Sequence, residues 1–168
     1  MYNYEKVDKF IEFAIEISET KSKEEVFEIL TSEIEKVDDI YLNEYISALN
    51  YIQYEKVLNW IEENKSKIKN ISLSWGQLAA SSNFDWNYAN KWISQGRPLS
   101  LIALDALVFC TTKNERENQS PWMRTLNPKL KNSENLEIIA NKLNEYSKID
   151  NVPRVRNKVK IIIENLYE

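Results

Sequence analysis

The sequence predicts an all-α protein of eight to nine helices, and three observations carry that expectation. Only two glycines (Gly76, Gly96) and four prolines (Pro98, Pro121, Pro128, Pro153) occur in 168 residues, too few for the tight turns of a many-stranded sandwich or barrel. Apolar residues recur at spacings of three and four through most of the chain, which is the period of a half-buried helix. Cap residues stand where those periods begin. With 43% hydrophobic and 29% charged residues, positions 1 to 168 read as one helical domain, large enough to bury a core without disulfide or metal.

Tyr4, Val7, Phe10, Ile11, Ala14, Ile15 and Ile17 form the apolar stripe of a first helix, whose charged face carries Glu5, Asp8, Glu12, Glu16 and Glu19. Ser22 with Glu25 makes a capping box ahead of Val26, Phe27, Leu30 and Ile34, so a second helix is expected over about residues 23 to 36. Asp38 or Asp39 caps a third, bearing Ile40, Tyr41, Leu42, Tyr45, Ile46, Leu49 and Ile52; a fourth carries Tyr54, Val57, Leu58, Ile61 and Ile68. Ser72 or Ser74 opens a short helix through Trp75, Leu78 and Ala79. Asp85 caps the next, with Trp86, Tyr88, Ala89, Trp92 and Ile93, and Gly96 ends it in the left-handed conformation.

Pro98 suits the first turn of a helix whose Leu99 to Cys110 stretch is apolar on nearly every side, and a helix without a polar face belongs at the centre. Residues 113 to 132 are polar, hold two prolines and show no period, so they read as a long irregular loop pinned by Trp122, Met123 and Leu126. Ser133 opens a penultimate helix with Leu136, Ile139, Ala140, Leu143 and Tyr146, and Pro153 starts the last through Val155, Val159, Ile162 and Leu166. Short connections favour antiparallel hairpins, arranged as a globular bundle or a short irregular solenoid. The echo between VLNWIEEN at 57 to 64 and ANKWISQG at 89 to 96 resembles the helix-hairpin period of HEAT-like repeats.

The chemistry the chain lacks is informative. It has no histidine and a single cysteine, Cys110, inside an apolar run, so Ser-His-Asp and Cys-His nucleophile systems and ordinary zinc cages are excluded. Its two glycines lie twenty positions apart, which rules out a Gly-rich phosphate loop. The adjacent acids Glu24-Glu25, Asp38-Asp39 and Glu62-Glu63 diverge by about 100° on a helix and read as solvated surface. No catalytic residue, metal or cofactor is expected. Asp105 interrupts the most apolar helix and needs a cation there; Arg97 is the expected partner, with Lys91 and Arg124 as alternatives.

Charge is segregated along the chain. Residues 1 to 63 hold sixteen acids and six bases, a net −10, whereas residues 64 to 168 hold ten acids and sixteen bases, a net +6. Such segregation presents one sign to a partner. No apolar run reaches the roughly 20 residues of a membrane span and no secretory h-region opens the chain, so the cytoplasm is the expected compartment and no membrane partner is expected. The string Arg154, Arg156, Lys158, Lys160 reads as a solvated face, since the pI is about 5.2 and no nucleic-acid motif accompanies it.

The acidic and aromatic run from Glu24 to Glu63, together with SWGQLAASSNFDWNYANKWISQGRPLSLIALDAL, resembles in overall type the bacterial immunity proteins that block contact-delivered and other polymorphic toxins. The resemblance implies a non-enzymatic inhibitor, monomeric when free, whose partner is a cognate toxin. That toxin would be a nuclease, of RNase type, held through its basic cleft. It also implies that Glu24, Glu28, Asp38, Asp39, Glu62 and Glu63 supply charge, with Tyr41, Tyr45 and Trp75 as anchors. A helical-repeat adaptor without inhibitory role, and a nucleic-acid binder using residues 154 to 160, remain as alternatives.

Overall fold

The computed structural model describes residues 3–37, 42–52, 54–69, 71–112 and 135–168, and every regular element among them is helical. The order is α1 (Tyr4–Ser18), α2 (Lys23–Glu35), α3 (Leu42–Leu49), α4 (Val57–Glu63), α5 (Leu73–Ala80), α6 (Trp86–Gln95), α7 (Leu99–Thr111), α8 (Leu136–Ile149) and α9 (Pro153–Tyr167). Short 3-10 turns follow α3 at Asn50–Ile52 and α4 at Lys65–Lys67. The loop expected at 113 to 132 and the cap expected at Ser133 lie outside the described residues.

Several helix starts follow local chemistry. Asn3 accepts from the Lys6 amide at 3.1 Å, Ser22 from the Glu25 amide at 3.2 Å and Asp85 from the Tyr88 amide at 2.9 Å, each satisfying one amide that the first turn leaves without a partner. Pro153 occupies the first turn of α9, where its missing N–H costs nothing.

Three local expectations are corrected, and the start of α5 at Ser72 holds in position but with a different hydrogen bond. Gly96 closes α6 at φ +75° and ψ −169°, which is outside the left-handed helical region and in the extended positive-φ region that essentially only glycine enters. Ser72 sits at the cap position of α5 but donates to Asn43 Oδ1 at 3.0 Å, and Ser74 Oγ lies 2.9 Å from Ser47 Oγ. A tertiary seam between α3 and α5 has taken both hydroxyls. The fourth helix is shorter than its apolar stripe: it ends at Glu63, where the backbone amide and the side chain of Asn64 both donate to the Trp60 carbonyl, at 3.1 and 2.8 Å, and a 3-10 turn follows. Pro98 precedes α7 as its cap residue instead of lying in its first turn.

The nearly featureless helix α7 is the centre of the packing, with eleven of its thirteen residues buried. It meets α5, α6 and, across a long stretch of sequence, α9, while α1 packs on α3 and α3 on α5. The main contacts step from α1 to α3, α3 to α5, α5 to α7 and α7 to α9, so each of these helices meets the second one along the chain, the succession that consecutive packed hairpins give. One buried cluster runs from Val7 to Leu166. Among the described residues no helix is long and apolar enough to cross a membrane.

Gly76 sets the approach of α5 to α7. A Cβ there would stand 2.9 Å from the Asp105 carbonyl carbon and 3.0 Å from the Ala106 amide nitrogen, so the close crossing requires glycine. The buried Asp105 on the same stretch takes a hydrogen bond from Lys158 of α9, and Arg154 stands 3.6 Å away. The expected Arg97–Asp105 pair does not form. Arg97 precedes α7 and turns to Asp150, whereas Lys158 and Arg154, one turn apart on α9, reach Asp105 from the side on which α9 packs. The anticipated cation string at residues 154 to 160 is therefore partly consumed inside the fold.

Candidate functional site

The first third of the chain folds with its acids outward. On α1, Asp8, Glu12, Glu16 and Glu19 fall within roughly 80° of one another at about 100° per residue, opposite the buried Val7, Phe10 and Ala14. On α2, Glu24, Glu28 and Glu35 repeat the arrangement opposite Val26, Leu30 and Ile34. Asp8, Glu12, Glu16, Glu19, Glu28 and Glu35 are exposed and make no ion pair among the described residues.

Local physics opposes this arrangement. Neither α1 nor α2 has a base in its last turn, so Glu16, Glu33 and Glu35 face the negative end of a helix dipole. Asp8 with Glu12, Glu12 with Glu16, and Glu24 with Glu28 are like-charged pairs one turn apart, each destabilising by about 0.2–0.5 kcal/mol. Among ion pairs between described residues, only Lys91 to Glu62, at 3.0 Å, joins the acidic third to the rest of the chain. Lys9–Glu5 at 2.9 Å, Lys36–Glu33 at 3.2 Å and Lys56–Glu24 at 2.9 Å are all internal to the acidic third.

Beside the acid stripe of α1 lies an aromatic notch of about 300 Å³, lined by Lys6, Lys9, Phe10, Phe13, Glu33 and Tyr45. Half-buried Tyr45 meets Phe10 edge-on at 4.5 Å, and Phe13 lies 6.4 Å from Phe10. Amphipathic aromatic rings in a partly desolvated recess are the side chains that anchor protein interfaces. Lys9 is held toward Glu5, whose hydrogen bond and charge raise the ammonium pKa and lower the carboxyl pKa, and the pair borders both notch and stripe.

The sequence-predicted residues have separate fates. Tyr45 lines the notch, Glu28 and Glu63 are exposed, and Glu24 is exposed but bridged to Lys56. Glu62 serves the fold instead: it accepts from the Trp92 indole at 2.7 Å and from Lys91, clasping α4 to α6. Trp75, 2% exposed, is interior and not a surface anchor; its position on the short α5 puts it against Trp60. Asp38, Asp39 and Tyr41 lie outside the described residues. Sequence reasoning missed Phe10 and Phe13 as notch walls because their helical spacing reads simply as core.

Buried Glu44 was also missed. Its carboxylate accepts from the Asn3 amide at 2.8 Å, fixing α3 to the positive end of α1. Among the described residues no group of three or more Cys, Asp and Glu side chains is placed to hold a metal ion. No protein-family model, curated protein or solved structure matches the chain.

Proposed function

We propose that this protein is an immunity protein that binds and neutralises a cognate bacterial toxin, a nuclease of RNase type, in the cytoplasm. The exposed acids of α1 and α2 cover the toxin's basic cleft, and the notch around Tyr45 receives one of its side chains. The observation that carries this reading is the stripe of exposed carboxylates on α1 and α2 that make no ion pair among the described residues, kept in place against helix dipole and like-charge repulsion. A cleft that attracts phosphates is positive, so surplus carboxylates give complementary potential and a steered encounter. Affinity then comes from the aromatic recess.

Co-expression with the product of the adjacent gene, scored as growth rescue, tests the inhibitory role. Rescue by the wild-type chain, with loss of rescue on reversing Glu12, Glu16 and Glu28 to Lys, supports it; complex formation without rescue returns the adaptor reading. Nucleic-acid binding through residues 154 to 160 is disfavoured by the engagement of Lys158 and Arg154 with Asp105.

A further inference from the structure

Beside its acids, α1 carries an apolar row that the fold leaves largely exposed. Tyr4, Asp8, Ile11, Ile15 and Ser18 follow one another at spacings of four, three, four and three, and fall within roughly 80° of one another at about 100° per residue. That is the spacing of a coiled-coil seam, whose a and d positions meet a second helix. Tyr4 is 73% exposed and Ile15 41%, while Ile11 is partly buried where the row meets the core. The Ser18 hydroxyl donates to the Ala14 carbonyl at 2.6 Å, so it asks nothing of a partner. Buried Val7 and Ala14 bound the row on one side. Exposed Glu5, Glu12 and Glu19, one heptad apart, line the other.

We propose that this face of α1 docks a basic amphipathic helix of the partner protein, whose apolar row meets Tyr4, Ile11 and Ile15 and whose lysines or arginines meet Glu12 and Glu19. The inference takes its setting from the toxin reading and names the element that the partner presents. Charge decides the occupant. Glu12 and Glu19 make no ion pair among the described residues, whereas Glu5 is held by Lys9 at 2.9 Å. Charges that flank a seam select its partner, and acids call for bases. A second copy of this chain would set Asp8 against Asp8 in a parallel pair and glutamate row against glutamate row in an antiparallel one. An anionic lipid surface is repelled by the same acids, since helices that lie on membranes carry bases on their polar face. Asp8, the one charged residue within the row, asks for a lysine or arginine opposite and so fixes the register.

The experiment titrates the full chain with three synthetic helices of about three heptads each, followed by fluorescence anisotropy and by the backbone amide resonances. The first carries Leu at a and d, Lys at e and g, and Lys at one central a position. The second has Ser for every Leu, and the third Glu for every Lys. Saturable binding of the first with shifts centred on α1, binding of the second about tenfold weaker and none of the third are the expected results. Ile11→Ser combined with Ile15→Ser then weakens the first helix about tenfold and leaves the second unchanged. Should that variant not fold, Ile15→Ser alone serves, with an expected loss of about fivefold. No saturable binding, equal affinity for the first and second helices, binding of the third, or shifts centred off α1 would each overturn the proposal. The seam and the toxin reading fail separately. A toxin complex whose affinity is unchanged by Ile15→Ser overturns the seam alone, whereas first-helix binding on α1 without growth rescue supports the seam and removes the toxin as its partner.

Discussion

Arg97 and Asp150 close a two-pronged ion pair across the bundle, with Nε donating to Oδ2 at 2.7 Å and a terminal guanidinium nitrogen to Oδ1 at 2.8 Å. Tyr146 donates to the same carboxylate at 2.9 Å and stands 2.6 Å from Ser100, so the residue before Pro98, the first turn of α7 and the end of α8 are joined. The Arg97 hydrogen bond, followed by that from Tyr146, holds the Asp150 carboxyl below its ordinary value of 3.8 against the effect of burial. A depressed folded-state pKa means that the stabilisation is complete above the unfolded value and lost as pH falls through the folded one. Asp150→Asn should therefore cost about 0.5–1 kcal/mol at neutral pH, discounted because Arg97 is half in water. Urea denaturation should show the gap to wild type narrowing progressively below about pH 4.

Asp105 presents the opposite regime, a fully buried carboxylate whose direct hydrogen-bond partner is Lys158. Oδ2 makes no hydrogen bond, so Arg154 contributes only charge from 3.6 Å. Removing Lys158 strands a charge in the core: Lys158→Met should cost about 3–5 kcal/mol. Adding Asp105→Asn should recover part of that loss, because the stranded charge goes with it. Arg97→Ala should leave the Asp105 environment unchanged. Equal costs for the Lys158 single and double variants in urea titrations would show that the pair is not coupled.

That Asp105 needs a cation was legible, because a carboxylate inside Leu101 to Phe109 has nowhere polar to go. Which cation answers it was not. Lys158 lies fifty-three positions away, and only the return of α9 onto α7 brings the two together. The same division runs through the rest of the chain. Helix existence, the caps at Ser22 and Asp85 and the central place of α7 follow from period and local chemistry. Ser72, Asn64 and Trp75 do not, since each is set by a contact or hydrogen bond that spacing does not encode. The outward acids were legible as a charge imbalance, but the notch around Tyr45 was not, because Phe10 and Phe13 belong to a different helix from Tyr45.

Gly76→Ala tests the closest crossing in the bundle. The added methyl group would press on the Asp105 and Ala106 backbone, which cannot turn aside as a side-chain tip can. Alanine's better helix propensity, about 1 kcal/mol, is outweighed by forced separation of α5 from α7. A net loss of about 1–3 kcal/mol is expected from chemical denaturation. A stabilised variant would show that the two helices have room to part.

The acid stripe makes a prediction whose sign separates a binding role from a structural one. If Glu16 and Glu19 are kept for a partner, replacing them should help the free chain. Glu16→Lys removes a carboxylate from the negative end of α1 and converts its clash with Glu12 into an attractive pair one turn apart. Each reversal should raise stability by about 0.3–1 kcal/mol at low ionic strength, and the gain should shrink as salt screens it. Against a basic partner the same variants should associate more slowly and with a shallower salt dependence, while Tyr45→Ala should act mainly through faster dissociation. Thermal melts of Glu16→Lys and Glu19→Lys at two salt concentrations suffice for the first half. A clear loss of stability at low salt would mean that these carboxylates serve the fold, and the acidic face would lose its claim as a docking surface.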